Sequence, residues 1–150
     1  MANGTIPSFF LGANSPTGFF SLYDWLIDIE TANRIYIIKG GPGCGKSSFM
    51  RRISKNLAER DVKSEYIFCS SDPDSLDGVV FPELGVAVVD GTAPHVLEPK
   101  YTAVVEQYVN LGQFYDLPGI KASRSDIIEA TNANKDCYPR YTAVCPPPGR

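Results

Sequence analysis

One segment of the chain has residue types and spacing suited to binding phosphate. Its sequence, Gly40-Gly41-Pro42-Gly43-Cys44-Gly45-Lys46-Ser47, fits the pattern G-x-x-x-x-G-K-[ST], and Ser48 follows. Glycines let the backbone N–H groups of a tight loop converge on phosphate oxygens at the N-terminus of a helix. The lysine then reaches the β- and γ-phosphates, and the serine hydroxyl can ligate Mg²⁺. The pattern predicts that residues 40–48 bind a nucleotide; a glycine-rich turn without a ligand is the alternative.

A second segment supplies a carboxylate for the same chemistry. Val86-Ala87-Val88-Val89 is an apolar run that ends in Asp90, as a Walker B strand does. The carboxyl end of a parallel strand lies at the edge of the sheet where ligands bind. We therefore expect Ser47 and Asp90 to hold Mg²⁺, and Lys46 and Asp90 to act in catalysis. An aspartate that caps the turn before Gly91 is the alternative.

The group that would activate the attacking water is less evident. Many ATPases place a glutamate directly after the Walker B aspartate, and here Gly91 occupies that position. His95 and Glu98 are the nearest downstream groups that can exchange a proton. His95 is the candidate for a catalytic or phosphate-sensing role, with a structural or surface histidine as the alternative.

Polar residues also follow the second predicted strand, namely Ser70, Ser71, Asp72, Asp74 and Asp77. Asp-Pro-Asp-Ser suits Asx turns and helix capping, which is the interpretation that we favour. The alternative is an acidic loop that meets a phosphate acceptor and takes its proton.

The elements that must position these residues follow from hydrophobic periodicity. Short apolar runs predict strands over residues 34–39, 64–69 and 86–90, and helical spacing predicts a helix over 45–60. Further helices are predicted over 19–29, after Pro99 and over 125–134. Strands that alternate with helices indicate an α/β fold, here a three-layer P-loop NTPase core with a mostly parallel sheet. With three strands and a proline-rich end, we expect the core to be incomplete at the C-terminus.

The same reading divides the chain into three parts. Residues 1–33 form a turn-rich segment with a helix, and residues 34–117 form the nucleotide-binding core. Residues 118–150 form a weakly structured C-terminal helix and a tail that ends in Cys-Pro-Pro-Pro-Gly-Arg.

Composition narrows the class of protein. The 150 residues include 17 acidic and 14 basic side chains, for a net charge of −3, so nucleic acid is not expected as the main ligand. No apolar stretch approaches the roughly 18 residues that span a membrane. The first basic residue is Arg34, so the basic region that opens a secretory signal is not present before the short apolar run near the start. Four cysteines without CxxC spacing and a single histidine argue against a zinc site. We expect a cytoplasmic protein with free thiols, one of which (Cys44) is a candidate for redox control.

Three segments together resemble a bacterial family of P-loop proteins described as ATPases of unknown function. They are residues 12–21, the glycine-rich pattern and residues 69–79, and Val89-Asp90-Gly91-Thr92-Ala93-Pro94-His95 continues the likeness. The resemblance covers roughly residues 9–116 and implies ATP binding at residues 40–47 and a functional role around Asp90. Members of that family are considerably longer, with a second P-loop-like half. The departure after about Pro118 leads us to expect a truncated or frame-altered product.

The sequence therefore predicts an ATP-binding protein with Mg²⁺-dependent ATP hydrolysis, coupled to an unknown process through an unknown small-molecule or protein partner. One alternative is a small-molecule or nucleotide kinase. Another is a nucleotide-dependent switch without significant turnover.

Overall fold

The computed structural model describes residues 6–15, 18–92 and 97–143, and its central feature is a six-stranded sheet. The strands are β1 (Ser8–Phe9), β2 (Gly12–Ser15), β3 (Gly18–Ser21), β4 (Arg34–Lys39), β5 (Glu65–Phe68), β6 (Leu76–Phe81), β7 (Val86–Asp90) and β8 (Glu106–Asn110). The α-helices are α1 (Lys46–Ala58), α2 (Leu117–Ala122) and α3 (Arg124–Ala143). Short 3₁₀ turns cover Tyr23–Trp25, Pro82–Leu84 and Leu111–Phe114.

The strand order in the sheet is β1-β5-β6-β7-β4-β8, and β2 and β3 form a separate antiparallel pair. β4 lies between β7 and β8 and is parallel to both. β6 is antiparallel to its neighbours β5 and β7, while β1 and β5 are parallel. All strands of the sheet except β6 thus run in one direction, which confirms the predicted α/β class and mostly parallel sheet.

Strand register brings three chain segments to one edge of the sheet. Ile38 of β4 pairs with Asp90, the last residue of β7. Lys39, the last residue of β4, pairs with Asn110, the last residue of β8. The residues that follow these strands therefore begin side by side, and they include the glycine-rich segment.

The sheet is buried on both faces, as its continuous apolar strands predict. On one face α1 packs Met50 against a cluster whose other members are Ile38, Leu76, Val79, Phe81 and Val88. On the other face the N-terminal segment places Tyr23 on a cluster whose other members are Ile35, Ile37, Ile67, Val80, Ala87 and Val89. The fully buried large side chains each stabilise the fold by about 1.5–3 kcal/mol.

Most predicted elements of the core are confirmed. The structure has strands at Arg34–Lys39, Glu65–Phe68 and Val86–Asp90 and a helix at Lys46–Ala58. The helix predicted over residues 125–134 is also present, within α3.

The helix predicted over residues 19–29 is wrong. Strand β3 and the 3₁₀ turn Tyr23–Trp25 occupy this segment instead. The Leu22 N–H donates to the carbonyl oxygen of Leu11, so the chain pairs with its own neighbouring segment rather than coiling. Five of its apolar side chains pack on the sheet from an irregular backbone with a spacing that resembles a helix, namely Phe19, Tyr23, Leu26, Ile27 and Ile29. Leu22 is exposed. The second covering layer is therefore the N-terminal segment rather than an α-helix.

The helix predicted after Pro99 is also wrong, because β8 forms there. Ala103 adopts a left-handed backbone conformation (φ +66°), which interrupts any helix through this segment. Parallel pairing with β4 then satisfies the backbone of residues 106–110.

Strand β6 is an element that the sequence interpretation missed, because Leu76-Asp77-Gly78 looks like turn sequence. The structure buries Asp77, and a Cβ at position 78 would lie 3.4 Å from the Ile67 side chain and 3.5 Å from the Val88 carbonyl oxygen. Glycine allows this close approach between strands. With β1 and β8, strand β6 brings the sheet to six strands within the described residues, where three were expected.

Candidate functional site

The glycine loop (residues 40–45) connects the end of β4 to the first residue of α1. Gly43 and Gly45 have left-handed backbone conformations, with φ of +74° and +87°. Gly45 is the N-cap of α1, and its carbonyl oxygen accepts the N–H of Phe49 at 2.8 Å. These two glycines turn the chain into the helix in conformations that side chains disfavour. The outer rim of the site is exposed and consists of Pro42, Gly43, Gly45 and Ser48.

Lys46 extends back beneath the glycine loop. Its Nζ donates to the carbonyl oxygens of Gly40 at 2.9 Å and Gly41 at 3.1 Å, and it lies 4.0 Å from the Cys44 sulfur. The same Nζ is 3.4 Å from Oδ2 of Asp90. The lysine and aspartate side chains are 11% and 13% exposed, so this ion pair is largely removed from water.

Asp90 is fixed by its own chain as well as by the lysine. Its Oδ1 accepts the backbone N–H of Thr92 at 2.8 Å and the Thr92 hydroxyl. Oδ2 is the oxygen that faces Lys46. Lys46 is the first residue of α1, after the loop that follows β4, and Asp90 ends β7, the parallel neighbour of β4. The structure therefore brings together the two residues that the sequence assigns to one site.

Ser47 connects α1 to β6. Its Oγ accepts the backbone N–H of Leu76 at 2.9 Å and, like any hydroxyl oxygen, has a second lone pair. Hydroxyl and carboxylate oxygens are ligands that Mg²⁺ prefers. The donor chemistry of Ser47 and Asp90 thus fits that ion. Within the part of the chain that the structure describes, no cluster of three or more His, Cys, Asp or Glu residues could hold a metal.

The position after Asp90 has no room for the glutamate found there in many ATPases. A Cβ at Gly91 would lie 2.4 Å from Cγ2 of Ile37 and 3.2 Å from Cε of Lys39. Glycine at this position therefore follows from packing between β4 and the chain beyond β7.

Of the two downstream candidates, His95 lies outside the described residues. Glu98 is held by other partners: its carboxylate accepts from Lys39 Nζ at 2.9 Å and from the Tyr108 hydroxyl. These bonds, that from Tyr108 first, lower the pKa of Glu98, and the same bond raises the pKa of Tyr108 to about 12. Lys39 also donates to the carbonyl oxygens of Gly91 and Leu97. Lys39 therefore attaches the chain on both sides of residues 92–96 to the end of β4.

The polar residues after β5 divide into two groups. Asp72 forms the predicted Asx turn, because it accepts the Asp74 N–H at 3.2 Å and the Ser75 hydroxyl at 2.6 Å. Arg51 of α1 donates to the Asp74 carbonyl oxygen at 2.7 Å and ties this turn to the helix. The Ser70 Oγ is buried without a hydrogen-bond partner among the described residues.

Asp77 belongs to the second group and lies in the sheet. The pairing of β5 with β6 shifts between Ile67 and Phe68, which leaves Asp77 as an extra residue in β6. Its Oδ2 accepts the hydroxyl of buried Tyr23 at 2.8 Å. Burial raises the pKa of Tyr23, and the Asp77 carboxylate raises it further. Burial likewise raises the pKa of Cys69, and backbone N–H groups of Ser71 and Asp72 partly offset this.

Sequence reasoning missed one residue that touches the glycine loop. The Gly41 N–H donates to the hydroxyl of Tyr115, which follows the 3₁₀ turn Leu111–Phe114. No motif marks this tyrosine. Its proximity follows from the register of β8 beside β4, and β8 itself was not predicted.

Two further predictions concern the cysteine thiols and membrane-spanning helices of the described residues. Cys44 and Cys69 are free thiols there. None of the helices in the described ranges is both long enough and apolar enough to cross a bilayer.

A family model described as nephrocystin 3, N-terminal, matches residues 21–79. The matched segment is less than half of the chain. It contains β4, the glycine loop, α1, β5 and the start of β6, and it ends before Asp90. Comparisons with curated proteins and with solved structures found no match.

Proposed function

We propose that the chain binds ATP with Mg²⁺ at the glycine loop and hydrolyses it in a Mg²⁺-dependent reaction. The observation that carries this proposal is the partly buried Lys46–Asp90 pair beneath a glycine loop that opens helix α1. A cation and a carboxylate at this point match the needs of a nucleotide triphosphate and its metal ion.

The loop supplies the contacts that a phosphate requires. Backbone N–H groups at the start of α1 have no partner within the helix and carry its positive dipole end. Lys46 already lies inside the loop, and two of its present partners are neutral carbonyl oxygens. Exchanging these carbonyl oxygens for a charged phosphate gives a stronger, charge-assisted hydrogen bond.

Ser47 and Asp90 are the residues that we propose to hold Mg²⁺. The ion is bound in such sites by one or two protein oxygens together with phosphate oxygens and water. When bound, it would neutralise charge that develops on the phosphates during transfer. Lys46 would lie between Asp90 and the γ-phosphate and stabilise the same charge.

The resemblance to bacterial ATPases of unknown function supports this proposal. The reaction would be coupled to an unknown process, through a small-molecule or protein partner, in the cytoplasm. His95 stays the predicted catalytic or phosphate-sensing residue in the segment after Asp90.

A small-molecule or nucleotide kinase is the second candidate, favoured by one observation. The packing of Gly91 against Ile37 and Lys39 leaves no space for a water-activating glutamate at that position. An enzyme that transfers the phosphoryl group to an acceptor does not need that glutamate. A nucleotide-dependent switch without significant turnover is the third candidate.

The test is to follow the γ-phosphate of radiolabelled ATP in the presence of Mg²⁺ and a pool of candidate metabolite acceptors. Release as inorganic phosphate, lost in Lys46→Ala and kept in Lys55→Ala, is the result that we expect. Lys55 is an exposed residue of the same helix and serves as the matched control. Robust transfer to a metabolite would contradict hydrolysis and favour the kinase, and binding without release or transfer would favour the switch.

A further inference from the structure

The phenol of Tyr115 lies directly against the first two residues of the glycine loop. Its hydroxyl oxygen accepts the Gly41 N–H. A Cβ at Gly41 would lie 3.1 Å from this oxygen, and one at Gly40 would lie 3.6 Å from it. The tyrosine therefore packs where the loop leaves β4, and glycine at position 41 allows the close approach.

The segment that contains Tyr115, residues 110–115, is anchored to the sheet. Asn110 pairs with Lys39 at the end of β4, and its side chain accepts the Gly112 N–H at 2.9 Å. Leu111 packs against the core cluster beneath α1. The Tyr115 N–H donates to the Gly112 carbonyl oxygen at 3.2 Å. The hydroxyl thus reaches the loop from a segment attached to the sheet on which the loop begins.

The Gly41 residue is held at both of its backbone polar groups. Its N–H donates to the Tyr115 hydroxyl, and Lys46 donates to its carbonyl oxygen at 3.1 Å. When Lys46 turns towards a phosphate, the carbonyl contact weakens or is lost, whereas the tyrosine contact does not involve the lysine. One attachment of the loop would then persist in the nucleotide-bound state.

We propose that Tyr115 is a positioning residue for nucleotide binding, which keeps the glycine loop folded before and after Lys46 engages phosphate. This inference rests on the proposed function. A loop that is already ordered loses less conformational entropy when the ligand binds, so affinity rises without a direct contact between tyrosine and nucleotide.

The experiment compares Tyr115→Phe with the unaltered chain and with Tyr66→Phe as control. Phenylalanine keeps the ring and removes only the hydroxyl. The Tyr66 hydroxyl donates to Ser54 Oγ at 3.0 Å, away from the loop, and so matches the chemistry of the change. We expect Tyr115→Phe to weaken MgATP binding about 2- to 10-fold by calorimetry, since a hydrogen bond contributes on the order of 1 kcal/mol.

Amide hydrogen exchange without nucleotide provides a readout that a general loss of stability would not reproduce. Exchange at Gly41 should accelerate in Tyr115→Phe, while exchange at buried amides of β4 and β7 stays at the rate of the unaltered chain. Tyr66→Phe should leave both Gly41 exchange and MgATP affinity unchanged.

If the unaltered chain binds MgATP and Tyr115→Phe binds it with the same affinity, the inference is overturned while the proposed nucleotide binding stands. Tighter binding would also overturn it, because the hydroxyl would then compete with the nucleotide. If the unaltered chain binds no MgATP, the proposed function fails. Exchange at Gly41 then decides separately whether the hydroxyl holds the loop.

Discussion

Ser47 occupies a position where two parts of the site meet. Its hydroxyl oxygen accepts the Leu76 N–H from the start of β6, and the same oxygen is a proposed Mg²⁺ ligand. Because a hydroxyl oxygen has two lone pairs, both roles are compatible. A metal ion bound at Ser47 would therefore lie next to the hydrogen bond that attaches the start of β6, the strand that contains Asp77.

Ser47→Ala should reduce the Mg²⁺ dependence of ATP binding. The variant loses one of the two proposed protein ligands, so Mg²⁺ should raise its affinity for ATP less than it raises that of the unaltered chain. The unfolding free energy should fall by about 1–3 kcal/mol, because the Leu76 N–H loses its acceptor. Calorimetry with and without Mg²⁺ provides the test. Ser47→Thr, which keeps the hydroxyl, is the control, and an undiminished Mg²⁺ effect in Ser47→Ala would contradict the assignment.

Tyr23 makes folding stability sensitive to alkaline pH. Burial raises its pKa above the value near 10 that it has in the unfolded chain, so the unfolded chain loses this proton first. The contribution is fully present below about pH 10 and is lost as the pH rises further. Tyr23→Phe should therefore show a smaller loss of stability above pH 10, although its stability at pH 7 falls by about 1–3 kcal/mol.

Urea unfolding between pH 7 and pH 11 measures this difference. Tyr101→Phe, at a half-exposed position, should keep the pH dependence of the unaltered chain. Identical alkaline slopes for Tyr23→Phe and the unaltered chain would show that the buried phenol does not control this transition.

Among elements, the glycine loop depends most on backbone geometry. Gly45 combines a φ of +87° with the N-cap position of α1, and no atom lies within 4 Å of a Cβ placed there. An added side chain is therefore disfavoured by conformation and not by collision. Any change of φ at this residue also rotates the N–H groups that we propose to bind phosphate.

Gly45→Ala should lower the unfolding free energy by about 1–2 kcal/mol and weaken MgATP binding at least tenfold. Gly85→Ala serves as the control, since Gly85 has a φ of +61° in the turn between β6 and β7. The control should lose stability but retain affinity. Thermal unfolding and calorimetry on both variants separate the two effects, and equal affinities would contradict a phosphate-binding role for the loop.

The elements that the sequence predicts are those with local signals. β4, α1 and β7 have apolar runs or helical spacing with a glycine next to at least one end, and the predicted boundaries come within one or two residues of the structure. β8 and β6 have no such signal, because their stability comes from pairing with β4, β5 and β7. Periodicity cannot report a partner strand that is distant in sequence.

The same reasoning explains what could be predicted of the site. The proximity of Lys46 and Asp90 follows from two neighbouring parallel strands and one motif. The contacts of Tyr115 with Gly41 and of Tyr23 with Asp77 join residues 74 and 54 positions apart, and each depends on an element that was missed or assigned wrongly. Such contacts need the tertiary structure.

At the scale of the whole molecule, the site lies at the edge of the sheet where β4, β7 and β8 end together. α1 covers one face and the N-terminal segment covers the other, so β4, which leads into the loop before Lys46, and β7, which ends in Asp90, are buried on both sides. This burial gives the ion pair a fixed position. The described side chains of α2 and α3 are exposed, and they do not contribute to either core cluster.

Calorimetric titration with MgATP, on the unaltered chain and on Lys46→Ala, tests the central claim most directly. The unaltered chain and the control Lys55→Ala should bind with equal affinity. Lys46→Ala should bind about 10- to 100-fold more weakly, because a charge-assisted hydrogen bond contributes roughly 1.5–3 kcal/mol. Equal affinity of Lys46→Ala and the unaltered chain, or no binding by the unaltered chain, would contradict nucleotide binding at this loop.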